Sequence, residues 1–288
     1  MGRWSVNEFT TFRWSFEDDV RSYAAAGFDA VGVWQQKLSD FGEEKGAEWL
    51  AEAGLTVSSL HWIGGFTGSD GRGFSDSLRD AKSSLRVAQL LGAQTVMVHS
   101  GSLNGHIRRH AHRLLRDALE GLLPLAEEFN ATLVLKPIPA PCAGPWTFLH
   151  DFDAACRLID ELASPHVRLV FDTYYHGWDR SLVDHLPRIV DYIGLVQIAD
   201  AGADPGAAPE RYPPGAGSLP LGTLLARLEN AGYRGCYEFE VWGDHLSHLT
   251  YHELLLCCAE AARRWERQLR EAPSLRSDAA AASGPNAS

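Results

Sequence analysis

The sequence predicts a single-domain α/β fold, a (β/α)8 TIM barrel, on three observations. Short β-branched runs alternate with segments of helical period, and eight such strand–helix units fit within about 270 residues. Glycine stops such as Ala26-Gly27-Phe28, Ala53-Gly54-Leu55 and Ala231-Gly232-Tyr233 stand at the left-handed capping position just before the next strand. No GxGxxG or P-loop pattern opens any of the helices, which argues against the structural alternative, a doubly wound open sheet.

In chain order, strand Trp4–Thr10 leads into helix Phe16–Ala26, and strand Ala30–Trp34 into helix Glu43–Ala53. Strand Thr56–His61 precedes helix Ser75–Leu91, and strand Thr95–His99 precedes helix Ile107–Phe129. Strand Thr132–Lys136 is followed by helix Phe152–Leu162, and strand Val167–Asp172 by helix Leu182–Val190. Strands Gly194–Asp200 and Cys236–Val241 complete the set with helices Leu221–Ala231 and Tyr251–Arg270. The barrel domain is expected over 1–271, and the Ala-, Ser-, Gly- and Pro-rich stretch 272–288 reads as a disordered tail.

The chain has 288 residues, a formal net charge of −11, 22% charged and 45% hydrophobic residues, as expected of a globular protein with a full core. No apolar run approaches the roughly 18 residues that cross a bilayer, and Met1-Gly-Arg-Trp-Ser lacks the order of a signal peptide. A cytoplasmic location is the resulting expectation. Five cysteines without CxxC spacing indicate neither a disulfide framework nor a structural zinc site. The acidic balance argues against nucleic acid or an anionic membrane as the main partner, leaves room for a homo-oligomer, and favours a small-molecule substrate.

In such a barrel the strand C-termini share one mouth, so polar residues there are candidates for chemistry. The expected strand ends carry Asn7 and Glu8, Trp34, His61, His99, Lys136, Asp172, Gln197 and Glu240, and loops add Arg211, His176 and Trp178. Each has a structural reading too. His61 and His99 can be hydrogen-bonded core residues, Asp172 can cap a turn, and Glu238 shares one side of its strand with Glu240. The concentration of such residues at one end carries more weight than any one of them. Trp34, Trp62, Trp146, Trp178 and Trp242 fall at or just beyond strand ends, which suggests a flat-walled pocket that suits sugars as well as aromatic or polyketide-like rings.

Several motifs resemble one family. They are Ala25-Ala-Gly-Phe-Asp-Ala-Val-Gly-Val33, Ala53-Gly-Leu-Thr-Val-Ser-Ser-Leu-His61, Leu91-Gly-Ala-Gln-Thr-Val-Met-Val-His99, Val170-Phe-Asp-Thr-Tyr174, Val196-Gln-Ile-Ala-Asp200, Pro214-Gly-Ala-Gly217 and Ala231-Gly-Tyr-Arg-Gly-Cys-Tyr-Glu-Phe-Glu240. In this order they resemble the xylose-isomerase-like barrels of sugar phosphate isomerases and epimerases, including hydroxypyruvate-isomerase-like members. The resemblance implies a divalent ion, manganese or magnesium, held by a Glu, an Asp, a His or Gln, and a second Glu. It places the Asp on Asp172, the His or Gln on Gln197 and the last Glu on Glu240, with Arg211 gripping a substrate oxygen or phosphate. The first Glu falls on Lys136, and Tyr175, followed by His176, stands where the family usually has His.

An ammonium beside Asp172 and Glu240 is attracted to both, by about 4 kcal/mol per contact near 4 Å at an effective dielectric of ~20, before desolvation. Lys136 thus fills the electrostatic role of the ion and repels one brought beside it, which favours a site without a cofactor over a weak Mn or Mg site on Asp172, Gln197 and Glu240. The leading expectation is an isomerase or epimerase acting beside a carbonyl. Glu240 is its base, His61, His99 or His176 assist, Lys136 holds the oxyanion, and Arg211, Trp34, Trp62, Trp178 and Trp242 position the substrate. Lys136 as a base or Schiff-base former stays open. The alternatives are a metal-independent lyase or cyclase that uses Lys136, Tyr175 and the carboxylates, and a non-catalytic binding or partner subunit.

Overall fold

All eight expected strands form and pair in parallel with their sequence neighbours, because each is a short apolar run returned to the sheet by a helix that covers its outer face. The structure, a computed structural model, describes residues 4–202 and 210–271. Among these residues the strands are β1 Trp4–Asn7, β2 Ala30–Trp34, β3 Thr56–Gly64, β4 Thr95–His99, β5 Thr132–Leu135, β6 Val167–Asp172, β7 Ile193–Ile198 and β8 Tyr237–Phe239. The barrel closes where β8 pairs with β1, with Ser5 opposite Glu238. The helices are α1 Phe16–Ala26, α2 Gln35–Phe41, α3 Glu43–Ala53, α4 Phe74–Leu91, α5 Arg108–Glu128, α6 Ala140–Ala143, α7 Phe152–Leu162, α8 Thr173–His176, α9 Arg180–Asp184, α10 Leu186–Ile189, α11 Leu221–Ala231 and α12 Tyr251–Glu271.

Local chemistry fixes the ends of these elements. Ser15 caps α1 by accepting from the Asp18 amide, and Asp151 caps α7 by accepting from Asp153 and Ala154. Gly27, Gly54 and Gly232 end α1, α3 and α11 at φ of 87°, 71° and 113°, the left-handed conformation expected of them. Two apolar layers result. Outward-facing strand residues such as Val6, Val31, Leu60 and Val96 pack beneath the helices, whereas Met97, Val134, Val170 and Leu195, from four successive strands, and Cys236, just before β8, form a separate cluster inside the barrel. The remaining interior is polar, with Ser5, Asn7, Ser59, Gln197 and Glu238 fully buried.

Several boundaries differ from expectation. β1 stops at Asn7, not Thr10, because the Asn7 side chain accepts from the Phe9 amide and turns the chain. The helix expected over Leu182–Val190 is broken into α9, α10 and the 3-10 turn Val190–Tyr192, since Pro187 lacks the amide a continuous helix needs. The short helices α2, α6 and α8 were not expected. β5 and β8 end one residue before Lys136 and Glu240, leaving both side chains at the rim of the sheet. β3 runs on to Gly64, and its pairing with β4 skips from Leu60–Val96 to Ile63–Val98, so β3 carries one residue more than β4 there. The expected tail, 272–288, lies outside the described residues. No helix among the described residues is long and apolar enough to cross a membrane.

Candidate active site

Lys136 Nζ lies where two carboxylates converge, 3.0 Å from Asp172 Oδ2 and 3.2 and 3.3 Å from the Glu240 oxygens. The side chain is buried, and its ammonium stands 5.6 Å from the centre of the Tyr175 ring. Arg211 braces the same carboxylates from behind. Its Nη2 bonds Asp172 Oδ2 and lies 3.6 Å from Glu240 Oε1, while Nη1 donates to the Glu240 carbonyl at 3.2 Å. Tyr174 and Tyr175 pack on the guanidinium at 4.9 and 5.1 Å. Burial opposes the Arg211 charge, but Asp172 and Glu240 more than offset it. Burial likewise works against the Glu240 charge, and Lys136, Arg211 and His61 together hold that carboxyl well below its usual range. Two cations and two carboxylates thus form one neutral, buried cluster.

A second buried network lies one layer deeper on the same side of β8. Glu238 accepts from Asn7 Nδ2 at 2.8 Å, Ser58 Oγ at 2.8 Å, Ser59 Oγ at 2.5 Å and Gln197 Nε2 at 2.9 Å. His61 Nε2 is 3.2 Å from Glu238 Oε1, 3.0 Å from Ser59 Oγ and 2.7 Å from Asn7 Nδ2. Burial disfavours the carboxylate, yet its bond to His61 and those from Ser59 and Asn7 bring it down to about 2. Gly32 makes room for it: a Cβ there would meet Glu238 Oε2 at 2.5 Å and Ser59 Oγ at 2.9 Å.

Both networks touch a cavity of about 70 Å³ at the barrel mouth. Lys136, Glu240, His61 and His99 supply its polar wall, and Phe9, Trp62, Trp146, Tyr175 and Trp242 its aromatic wall. Successive residues His61 and Trp62 both face it, which strict strand alternation forbids and the extra residue in β3 permits. His99 packs against Trp62 and Trp146 with ring centres 5.9 and 5.5 Å away, and its Nδ1 has no hydrogen-bond partner among the described residues. Burial, then the Lys136 charge, push its pKa down to about 3, so the imidazole is neutral.

Not every candidate reaches this cavity. Trp34 stacks on Phe9 at 4.8 Å and donates its amide to Glu8, standing behind the wall. His176 turns Nδ1 to the backbone of Asp172 and lies between Phe152 and Phe171, and with Trp178 it lines a separate groove of about 660 Å³. Burial brings its pKa down to about 4. Arg211 is fully enclosed and presents nothing to the cavity. A third groove, about 690 Å³ between α5 and α7 and lined by Arg109, Arg113, Arg116 and Arg157, is a local basic strip remote from the strand ends. Phe9 had no sequence signal as a site residue, and Glu238 is distinguished from Glu240 only by depth, which a strand pattern does not encode.

These residues do not fit a divalent ion. The point between Asp172 and Glu240 holds a nitrogen cation where a ligand set needs an oxygen, and Arg211 occupies the same two carboxylates. Gln197 turns its amide nitrogen to Glu238. Among the described residues no three His, Cys, Asp or Glu side chains are grouped to hold a metal.

The chain is 27% identical to the protein named "Putative hydroxypyruvate isomerase" of Streptomyces coelicolor, over 74% of this chain and 80% of that one. Protein SMc04130 of Sinorhizobium meliloti superposes with a TM-score of 0.80 at 22% identity, covering 90% of this chain and 97% of that one. The IolI protein with a bound zinc atom also gives 0.80, at 18% identity and 93% and 99% coverage. The D-allulose 3-epimerase of Methylomonas gives 0.72 at 17% identity, with 92% and 99% covered. Residues 20–274 match the family described as xylose isomerase-like TIM barrel, and the chain belongs to that family.

Proposed function

We propose that the chain is an enzyme of the isomerase and epimerase type that moves a proton beside a carbonyl, with Lys136 acting where relatives of this barrel use a metal ion. The observation that carries this reading is the Lys136 ammonium, set in the cavity wall by three contacts of 3.0 to 3.3 Å to Asp172 and Glu240. An ammonium held at that point donates to a substrate carbonyl oxygen and stabilises the enolate formed when the neighbouring carbon loses its proton. Glu240, the base expected from the sequence, is a poor acceptor while two cations and the Trp242 indole, 3.2 Å away, engage it. His61 suits the task better. In the tautomer whose Nε2 donates to Glu238, Nδ1 is the nitrogen left to take the proton and return it to the adjacent carbon or the opposite face. A lyase or ring-closing reaction shares the first step, and Tyr175, whose phenol burial keeps protonated, is a donor for a departing hydroxyl.

The test is proton exchange from hydroxypyruvate and other small ketones into D2O, followed by NMR. Lys136→Gln is expected to lower the exchange rate about 100-fold or more, the loss typical of one oxyanion donor. Chelator is expected to leave the wild-type rate unchanged, whereas Lys136→Glu is expected to gain bound manganese by elemental analysis. One equivalent of metal on wild-type protein purified without chelator would overturn the reading.

A further inference from the structure

The mouth cavity is unsuited to a phosphorylated sugar, on three grounds. The first is charge. Lys136 is the one lysine or arginine among its described lining residues, its ammonium is taken up by three carboxylate oxygens, and Arg211 is sealed beneath it. An entering phosphate meets the ionised Glu240, has only Lys136, already shared with two carboxylates, to balance its own charges among the described lining residues, and meets the electron-rich faces of the rings besides.

The second ground is size. A recess of about 70 Å³ takes several waters, at roughly 10–15 Å³ for each, enough for a carbonyl and the atoms next to it, while a whole hexose phosphate stays partly outside. What remains of the substrate must lie against the rim. The third is the composition of that rim. Phe9 and Trp62 stand 5.7 Å apart, Trp62 meets Trp146 edge-on at 5.3 Å, and Trp146 is 43% exposed, an unusual position for an indole. Neutral His99 completes this wall without adding a charge.

We propose that the substrate is an uncharged, flat carbonyl compound, an aryl ketone or conjugated diketone, whose carbonyl enters the recess to meet Lys136 while its ring lies against Trp62 and Trp146. The inference rests on the proton-transfer reading for the role of Lys136, but binding and chemistry are measured separately.

Calorimetric titration with two uncharged probes, phenylacetone and benzoylacetone, is set against dihydroxyacetone and dihydroxyacetone phosphate. At least one aryl ketone is expected to bind ten times more tightly than either triose. Trp146→Ala, a change at a half-open position with folding checked by the urea midpoint, is expected to weaken aryl-ketone binding at least tenfold and triose binding far less. The inference is overturned if neither aryl ketone binds, if dihydroxyacetone phosphate binds as tightly, or if Trp146→Ala has no effect on the ketones. Deuterium exchange on the same samples reports the chemistry. Aryl-ketone binding without exchange upholds the substrate class and sinks the proton-transfer reading; exchange confined to the trioses does the reverse.

Discussion

At the scale of single residues, the site turns on how burial and charge divide the work among groups of similar type. His99 and His61 face one cavity, yet one is an isolated neutral imidazole and the other is bonded to an ionised carboxylate. The His99 environment has a measurable consequence for stability. Its folded pKa, about 3, lies below the ordinary value near 6.5, so between those values the unfolded chain binds a proton that the folded one refuses. Folding stability therefore falls as the pH drops through that window. A His99→Gln variant is expected to lose less stability than wild type between pH 6.5 and 4.5, read from urea midpoints at each pH. The convergence of Lys136, Asp172, Glu240, His61 and His99 was legible in the sequence because each stands at or next to a strand end. The enclosure of Arg211 was not, since a loop residue's burial depends on tyrosines at 174 and 175 that approach it from α8.

At the scale of elements, β3 does more for the site than its length suggests. Its extra residue against β4 turns both His61 and Trp62 to the cavity, and its end is fitted tightly against the neighbouring strand. Gly64 sits at φ 155° opposite His99, and a Cβ there would collide with the His99 carbonyl oxygen, a backbone atom that cannot swing aside. Gly64→Ala is expected to destabilise the fold by more than about 2 kcal/mol and to disturb His99, checked by urea unfolding and by the His99 imidazole NMR signals. Neither effect could be read from hydrophobic alternation, which records which residues are apolar and not where one strand gains a residue on its partner. The break in the helix expected over Leu182–Val190, in contrast, was written in the sequence as Pro187.

At the scale of the whole molecule, the barrel depends on the seam where its last strand meets its first. Trp265 of α12 covers that seam, 6.0 Å from the Trp4 ring in β1 and 6.2 Å from Phe239 in β8, and is 3% exposed. Trp265→Ala is expected to cost about 3 to 5 kcal/mol, the range for deleting a buried aromatic, measured as a shift in the urea midpoint with the slope unchanged. The eightfold alternation made this architecture plain from the sequence, because strand and helix periods are local. Which of the nine tryptophans gather at the mouth was legible only in part: Trp62, Trp146 and Trp242 line the cavity, whereas Trp34 and Trp178 do not.

That rim has an optical consequence. Trp146 is partly wetted and makes edge-on contact with one other indole, so its emission is set to move to shorter wavelength when a ligand displaces water from its outer face. Subtracting the spectrum of a Trp146→Phe protein isolates that signal from the other eight tryptophans. The chain thus carries its own occupancy gauge, and compounds transparent in the near ultraviolet can be screened against it before a reaction is known.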